Sequence, residues 1–427
     1  MPVVLLALVL VVLSPFVAAA QEAEPQAPAT VLEAARARDF ETLGRMFAAG
    51  IDPDAERDSR GSTPLLRMST TGDVAVLRAL VKGGADVNAV NESGKTALML
   101  AASQARAEAV TYLIESGAEV SAADREGRSA LFYAATAQRE GYRQVIDTLL
   151  EAGGNLNAGD EEGMTPLMRA CELQRTDNIA FLIEKQVDLD QGDEEGQVAL
   201  MLVAGTGNTE HLKMLLEAGA DLDASTQYGR TALDYALRRR KVEMVRLLIE
   251  QGIGIDSVAR SGETPLFTAV QTDNTELIQM LLDAEAQIDT KDDDGNTPLI
   301  RAAWRVEPVV RQLVEAGADL EAKNNAGLTP LIVASAAGSP ETVNFLIESG
   351  ADVDAAEDRG ITPLMVAAEG RHHMVIPHRD AQHLEVVKAL IEAGADVNAR
   401  NRAGRTARQI AEAGGADEIA AILRAAK

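Results

Sequence analysis

Four groups of residues in this 427-residue chain have the right types to do chemistry. Ser93-Gly94-Lys95-Thr96 ends like a loop that cradles nucleotide phosphates. Such a loop needs an earlier glycine at position 89, where this chain carries Ala89, so the phosphate cradle is incomplete. Asp292-Asp293-Asp294-Gly295 has the carboxylate density of a calcium loop. If Gly295 is that loop's turn glycine, the first ligand falls on Thr290 and the last on Arg301, a cation where a carboxylate is required. Cys171 stands at a small, packed position after Ala170, which suits a core side chain better than a nucleophile. His372, His373, His378 and His383 crowd into residues 372–383, and three imidazoles there could surround zinc or copper. Their spacing matches no standard site, and an exposed polar loop is the competing reading. No nucleophile, base and orienting group fall together on any one segment. The sequence therefore predicts a binding protein, with no catalysis, no cofactor and no resident metal.

The elements that carry these groups are set by a repeat. A Gly-x-Thr-Pro-Leu signal, or a close variant, begins at Gly61, Gly94, Gly127, Gly163, Gly196, Gly229, Gly262, Gly295, Gly327, Gly360 and Gly404. Most spacings are 33 residues; those from Gly127 and Gly360 stretch to 36 and 44. Thr63, Thr165, Thr264, Thr297, Thr329 and Thr362 are placed to cap helices with a side-chain oxygen. The proline after each stands where a missing N–H costs nothing. A second helix follows, with apolar residues at helical spacing such as Val245, Leu248 and Ile249. Gly84, Gly117, Gly219 and Gly317 then end that helix, and an Ala-Asp-Val-Asn-Ala type stretch leads to the next turn.

This pattern resembles the ankyrin repeat. The matching motif is T-P-L-x-x-A-A followed by L-L-E-x-G-A-D-x-N-A, over nearly all of residues 31–427. The resemblance implies an all-α solenoid of helix–turn–helix units joined by β-hairpins and stacked in a curve. It also implies that inner helices and hairpins form the binding surface. Ten repeats (61–403) lie between an N-terminal cap (31–60) and a C-terminal cap (404–427) that ends in water-compatible Ala and Arg. Two departures stand out. The histidine usual after Thr-Pro-Leu is replaced by residues such as Met99, Met168, Met201, Asp234 and Met365, so the hydrogen bonding attributed to it is expected to give way to apolar packing. Gln186 and Glu285 replace the helix-ending glycine and mark two weak points.

Composition narrows the partner. Apolar residues make up 46% of the chain and aromatics 3%, so the core is aliphatic. The net charge of −26 repels phosphate backbones and anionic lipid heads, which excludes nucleic acid and membrane surfaces as natural partners and suits a solvated monomer. On the inner-helix row most positions are bland, but Arg238 and Arg239 interrupt it, and Trp304 and Arg305 follow two repeats on. Tyr228 and Arg230 flank the hairpin before them. Trp, Tyr and Arg dominate interface hot spots, so these six residues form the expected contact with a protein partner carrying an acidic segment. The acidic clusters Asp160-Glu161-Glu162 and Asp193-Glu194-Glu195 fall on hairpin tips and read as solvated turns. A secreted effector and a metal-responsive module built on the histidines are the alternative readings.

The N-terminus points to export. Val3 to Leu13 is apolar, Ser14-Pro15 breaks the run, and Ala18-Ala19-Ala20 precedes Gln21. Residues 1–20 read as a signal peptide and 21–30 as a linker, placing the protein in the periplasm or outside the cell. The run lacks a preceding Lys or Arg, and an uncleaved anchor is the alternative. Mass spectrometry of the natively produced protein should find Gln21 at the mature N-terminus; an intact Met1 points to the anchor.

Overall fold

A computed structural model describes residues 30–305, 307–369 and 379–426. The expectations placed on residues 1–29 and on His372, His373 and His378 lie outside the described residues. Within them the helices come in pairs, such as Pro64–Ser69 with Val74–Lys82 and Ala232–Arg238 with Val242–Glu250. First helices pack on first helices and second on second, so the stack has an inner and an outer row.

The capping threonines act as their positions predict, with one exception. The hydroxyls of Thr63, Thr165, Thr297, Thr329 and Thr362 accept from the N–H three residues on, at 3.2–3.4 Å. Thr264 makes no such cap; its hydroxyl faces that of Thr290 at 3.5 Å. Each true cap stabilises its helix by about 1 kcal/mol. Behind the caps, Leu65, Leu66, Leu98, Met99 and Leu131 are fully buried, and Met168, Met201 and Met365 fill the same slot in their own repeats. Cys171 is buried as well, and desolvation pushes its thiol up to about 12, which keeps it protonated and inert.

The hairpins are turns rather than strands. Among the described residues the one bridge joins Ala123 to Ser129. At most turns an aspartate or asparagine ties the chain shut: Asp160 Oδ1, for instance, accepts from Glu162 N at 3.1 Å and Met164 N at 3.0 Å. Thr226 and Glu357 do so at two others, and the turn at Ala259 has no such side chain. Tips then bond to the next tip through backbone, as in Arg125 N to Ser93 O (3.0 Å), Gln227 N to Glu195 O (2.9 Å) and Arg260 N to Tyr228 O (2.8 Å). A second ladder runs along the stretches leading into the turns. Asp190, Asp223 and Asp256 each accept, through a carboxylate oxygen, from a backbone N–H 31 residues on, at 2.9 Å. The triple aspartate is absorbed by the same device. Asp292 accepts from Asp294 N at 3.0 Å and Asn296 N at 2.8 Å, and Arg301 Nη2 takes its other oxygen at 2.5 Å.

Gln186 and Glu285 do adopt the left-handed backbone that glycine holds at equivalent positions, with φ of 57° and 64°. A side chain there costs on the order of 1 kcal/mol. Gln186→Gly and Glu285→Gly should each recover about that much. The gain should appear as a higher urea midpoint and slower amide exchange in the preceding helices Thr176–Glu184 and Thr275–Asp283.

Candidate binding face

The face is built around the repeat that opens at Gly229. Its inner helix, Ala232–Arg238, starts at Thr231 and delivers a run of cations at its C-terminal end. Cations there offset the partial negative charge of the helix end. Arg238 and Arg239 are exposed, whereas Arg240 folds back, with a φ of 54°, to donate to Thr272 O of the next repeat. Lys241 follows, its stem lying over Gly207 of the preceding repeat. Residues 229–261 hold seven Lys and Arg against four Asp and Glu, a net of +3. The two repeats before, residues 163–228, hold four against twelve, and residues 262–326 hold five against thirteen, so each flank stands at −8.

Pairing sharpens the contrast. Several cations elsewhere on the inner face are matched: Arg169 with Asp160 and Glu172 (3.4 and 2.5 Å), Arg301 with Asp292 (2.5 Å), Arg128 with Asp124 (3.1 Å). Arg106 and Arg175, which precede their second helices as Lys241 does, are like it without an ion pair among the described residues, but each stands alone rather than in a run. The side chains of Arg230, Arg238, Arg239, Lys241 and Arg260 form no ion pair among the described residues. In a chain with 26 more acidic than basic residues, such pairs would form readily if the fold brought carboxylates near. Beside these cations lies a cleft of about 370 Å³, whose lining includes Gln197, Met201, Gly205, Tyr235, Arg239 and Lys241 and one carboxylate, Glu172. Glu172 is already held by Arg169 at 2.5 Å. Gly205 leaves the cleft open; a Cβ there would only reach Arg239 Cγ, at 4.0 Å. A second hollow of about 300 Å³ lies on the hairpin edge between Tyr228, Arg230 and Arg260.

Two repeats on, Trp304 is half exposed at 50% on the inner row, as its position predicts. Arg305 differs from expectation. Its guanidinium is bidentate to Asp273, Nε to Oδ1 at 2.6 Å and Nη2 to Oδ2 at 2.5 Å, and donates to Gln271 O at 3.0 Å. An arginine so committed fastens one repeat to the next and holds the turn that carries Trp304. Of the six residues singled out from sequence, the structure groups Arg238 with Arg239 and Tyr228 with Arg230, and sets Trp304 apart from both. Lys241, Arg260 and Gly205 were missed: Lys241 was visible as a fourth cation in the run, but the cleft beside Gly205 exists only in three dimensions.

The histidines resolve differently. The structure places Arg379–Glu392 in one helix, so His383 lies on a helix and not in an exposed polar loop. His383 is buried against Gly338 of the preceding repeat, its Nε2 3.3 Å from Ala336 O. His211, given no role from sequence, is also buried, with Nε2 2.8 Å from Thr176 Oγ1; desolvation lowers its pKa and holds it neutral.

Stacked helix pairs with tied hairpins and an open inner face define a repeat solenoid of the protein-binding class. The family model for ankyrin repeats in sets of three copies matches residues 31–124, 120–193, 179–259, 252–324 and 306–377, and the single ankyrin repeat matches 359–402. The chain belongs to the ankyrin repeat family. Members are in general binding scaffolds for protein partners, and no catalytic family is matched. No helix among the described residues is long and apolar enough to cross a membrane.

On the helix that carries the exposed cations, Asp234 occupies the slot expected to be apolar and restores a polar link between repeats. It is 4% exposed; Oδ2 accepts from Thr231 N at 3.0 Å, and Oδ1 from Thr268 Oγ1 of the next repeat at 3.1 Å. Burial raises its pKa above the usual 3.8, more than the hydrogen bonds and the nearby Arg238 lower it. A raised folded value means that the stability it confers is full below 3.8 and is lost as pH rises through the folded pKa. Asp234→Asn keeps an acceptor for Thr231 N and carries no charge. Its melting temperature relative to wild type should therefore rise as pH is raised from 3.8 to neutrality, measured by paired thermal melts across that range.

Proposed function

We propose that this ankyrin repeat protein works outside the cytoplasm, in the periplasm or beyond the cell, as a scaffold that holds a protein partner through an acidic segment. Support for the setting comes from the apolar run Val3 to Leu13 and the small residues Ala18 to Ala20. Support for the partner's chemistry comes from a single observation: a repeat of net +3 whose exposed cations are left without carboxylates, set between flanks of −8. The flanks repel an acidic segment on either side of this repeat. That arrangement favours register over raw affinity, because the field turns repulsive one repeat away in both directions.

Cross-linking in the native envelope, followed by capture of the protein, tests the reading, and fractionation separates periplasm from medium. With the captured partner, Arg238→Ala, Arg239→Ala and Trp304→Ala should each weaken binding by about 2 kcal/mol or more. If all three bind like wild type by calorimetry, the contact surface lies elsewhere on the solenoid.

A further inference from the structure

Two features of the inner face have complementary chemistry and a fixed separation. The first is the cleft beside Gly205, which Arg239 and Lys241 line together with Tyr235. Its cations form no ion pair among the described residues, and its lining includes Gly205, in the last turn of the helix Ala199–Thr206, where the missing side chain leaves room. The second is Trp304, half exposed, with its neighbour Arg305 neutralised by Asp273. The charge of the second point is spent, so what it presents is an aromatic surface. Between them the inner row offers Gln271 and Thr272, neither charged. Gln271 is tied to Glu263 at 3.0 Å and Thr272 to Ala269 O at 2.7 Å, and Arg240, which reaches this stretch, is committed to Thr272 O.

We infer that the face reads a two-part motif in an extended peptide: a carboxylate block that seats in the Arg239–Lys241 cleft, and an apolar side chain that packs on Trp304. The inference rests on the protein-binding reading above and makes it specific. Inner helices of neighbouring repeats pack roughly 10 Å apart, so the two points are about 20 Å apart. An extended chain covers about 3.3 Å per residue, which puts about six residues between the blocks. The carboxylates supply charge complementarity to Arg238, Arg239 and Lys241. The apolar residue removes exposed indole surface from water. The narrow separation rejects acidic sequences that lack the second point, which a highly acidic protein needs if its cationic repeat is not to collect any polyanion.

The chain supplies its own reporter, since Trp304 is its only tryptophan. Tryptophan-free peptides carrying Glu-Glu-Glu and Leu-Leu are titrated into the full chain at physiological salt. The blocks are separated by about six Gly/Ser residues in either order, or by about two. One order of the long-spaced peptide should shift Trp304 emission to the blue and bind about tenfold more tightly than the short-spaced form or Glu-Glu-Glu alone. Arg239→Ala with Lys241→Ala should weaken it by about tenfold, and Gly205→Leu, which fills the cleft, should do the same without lowering the melting temperature. Unmoved emission with both long-spaced orders, equal affinity for long and short spacings, or undiminished binding by the Arg239 and Lys241 variant overturns the inference. Each of these outcomes holds whether or not the envelope capture finds a partner, so this reading and the scaffold reading fail separately.

Discussion

No repeat in this chain can bury its apolar side alone, and that constraint governs everything else. A pair of helices of seven to nine residues offers Leu, Val and Ala on two opposite sides at once, as in Leu233, Ala236, Val245 and Leu248. Either side is a solvent-exposed apolar patch until a neighbour covers it. Stacking solves this by translation, and the carboxylates that accept from backbone N–H groups 31 residues on fix the translation to one register. The caps close the series by turning polar side chains such as Arg408 outward.

The same constraint explains where function can be placed. Core and ladder positions are spoken for in every repeat, so variation collects at the inner-helix ends and hairpin tips. The Gly229 repeat differs from its neighbours there and almost nowhere else. Even Asp234, a carboxyl in an apolar slot, serves the stack by bonding to Thr268 across the repeat boundary. It also lies on the helix that carries the exposed cations, so this cluster of positive charge is built on a repeat whose footing is polar.

Architecture was legible in the sequence because it is encoded redundantly. The threonine caps, the prolines and the turn residues Asp160 and Asp193 announce the same unit again and again, and the helices fall where that unit puts them. Local chemistry was legible less evenly. Arg238 and Arg239 could be read as exposed because they sit past the Ala-Ala slot, but nothing in the order of residues says which arginine finds a carboxylate. Arg305 and Arg239 look alike in sequence; one meets Asp273 from the preceding repeat and the other meets open space. The difference arises from the residue one repeat earlier, Asp273 in the first case and Gly207, which has no side chain, in the second. Asp234 misled for the same reason, since its partner Thr268 stands in another repeat. The bend of a turn into a strandless hairpin is likewise a matter of how many backbone bonds close, which residue types alone do not count.

The ladder of carboxylates has a consequence for how such a protein can change. Each rung joins one unit to the next even where a unit is longer, as Asp396 N still reaches Asp354 Oδ1 at 2.8 Å across 42 residues, so extra length inside a unit leaves the stacking step unchanged. The distance between the cationic cleft and Trp304 is therefore an integer number of repeats, and the span of any ligand that bridges them is quantised with it. Duplication of the Gly262 unit would lengthen that span by one step and leave both ends chemically intact. Evolution, or an engineer, can thus adjust the spacing as one moves a peg along a ruler, without redesigning either grip.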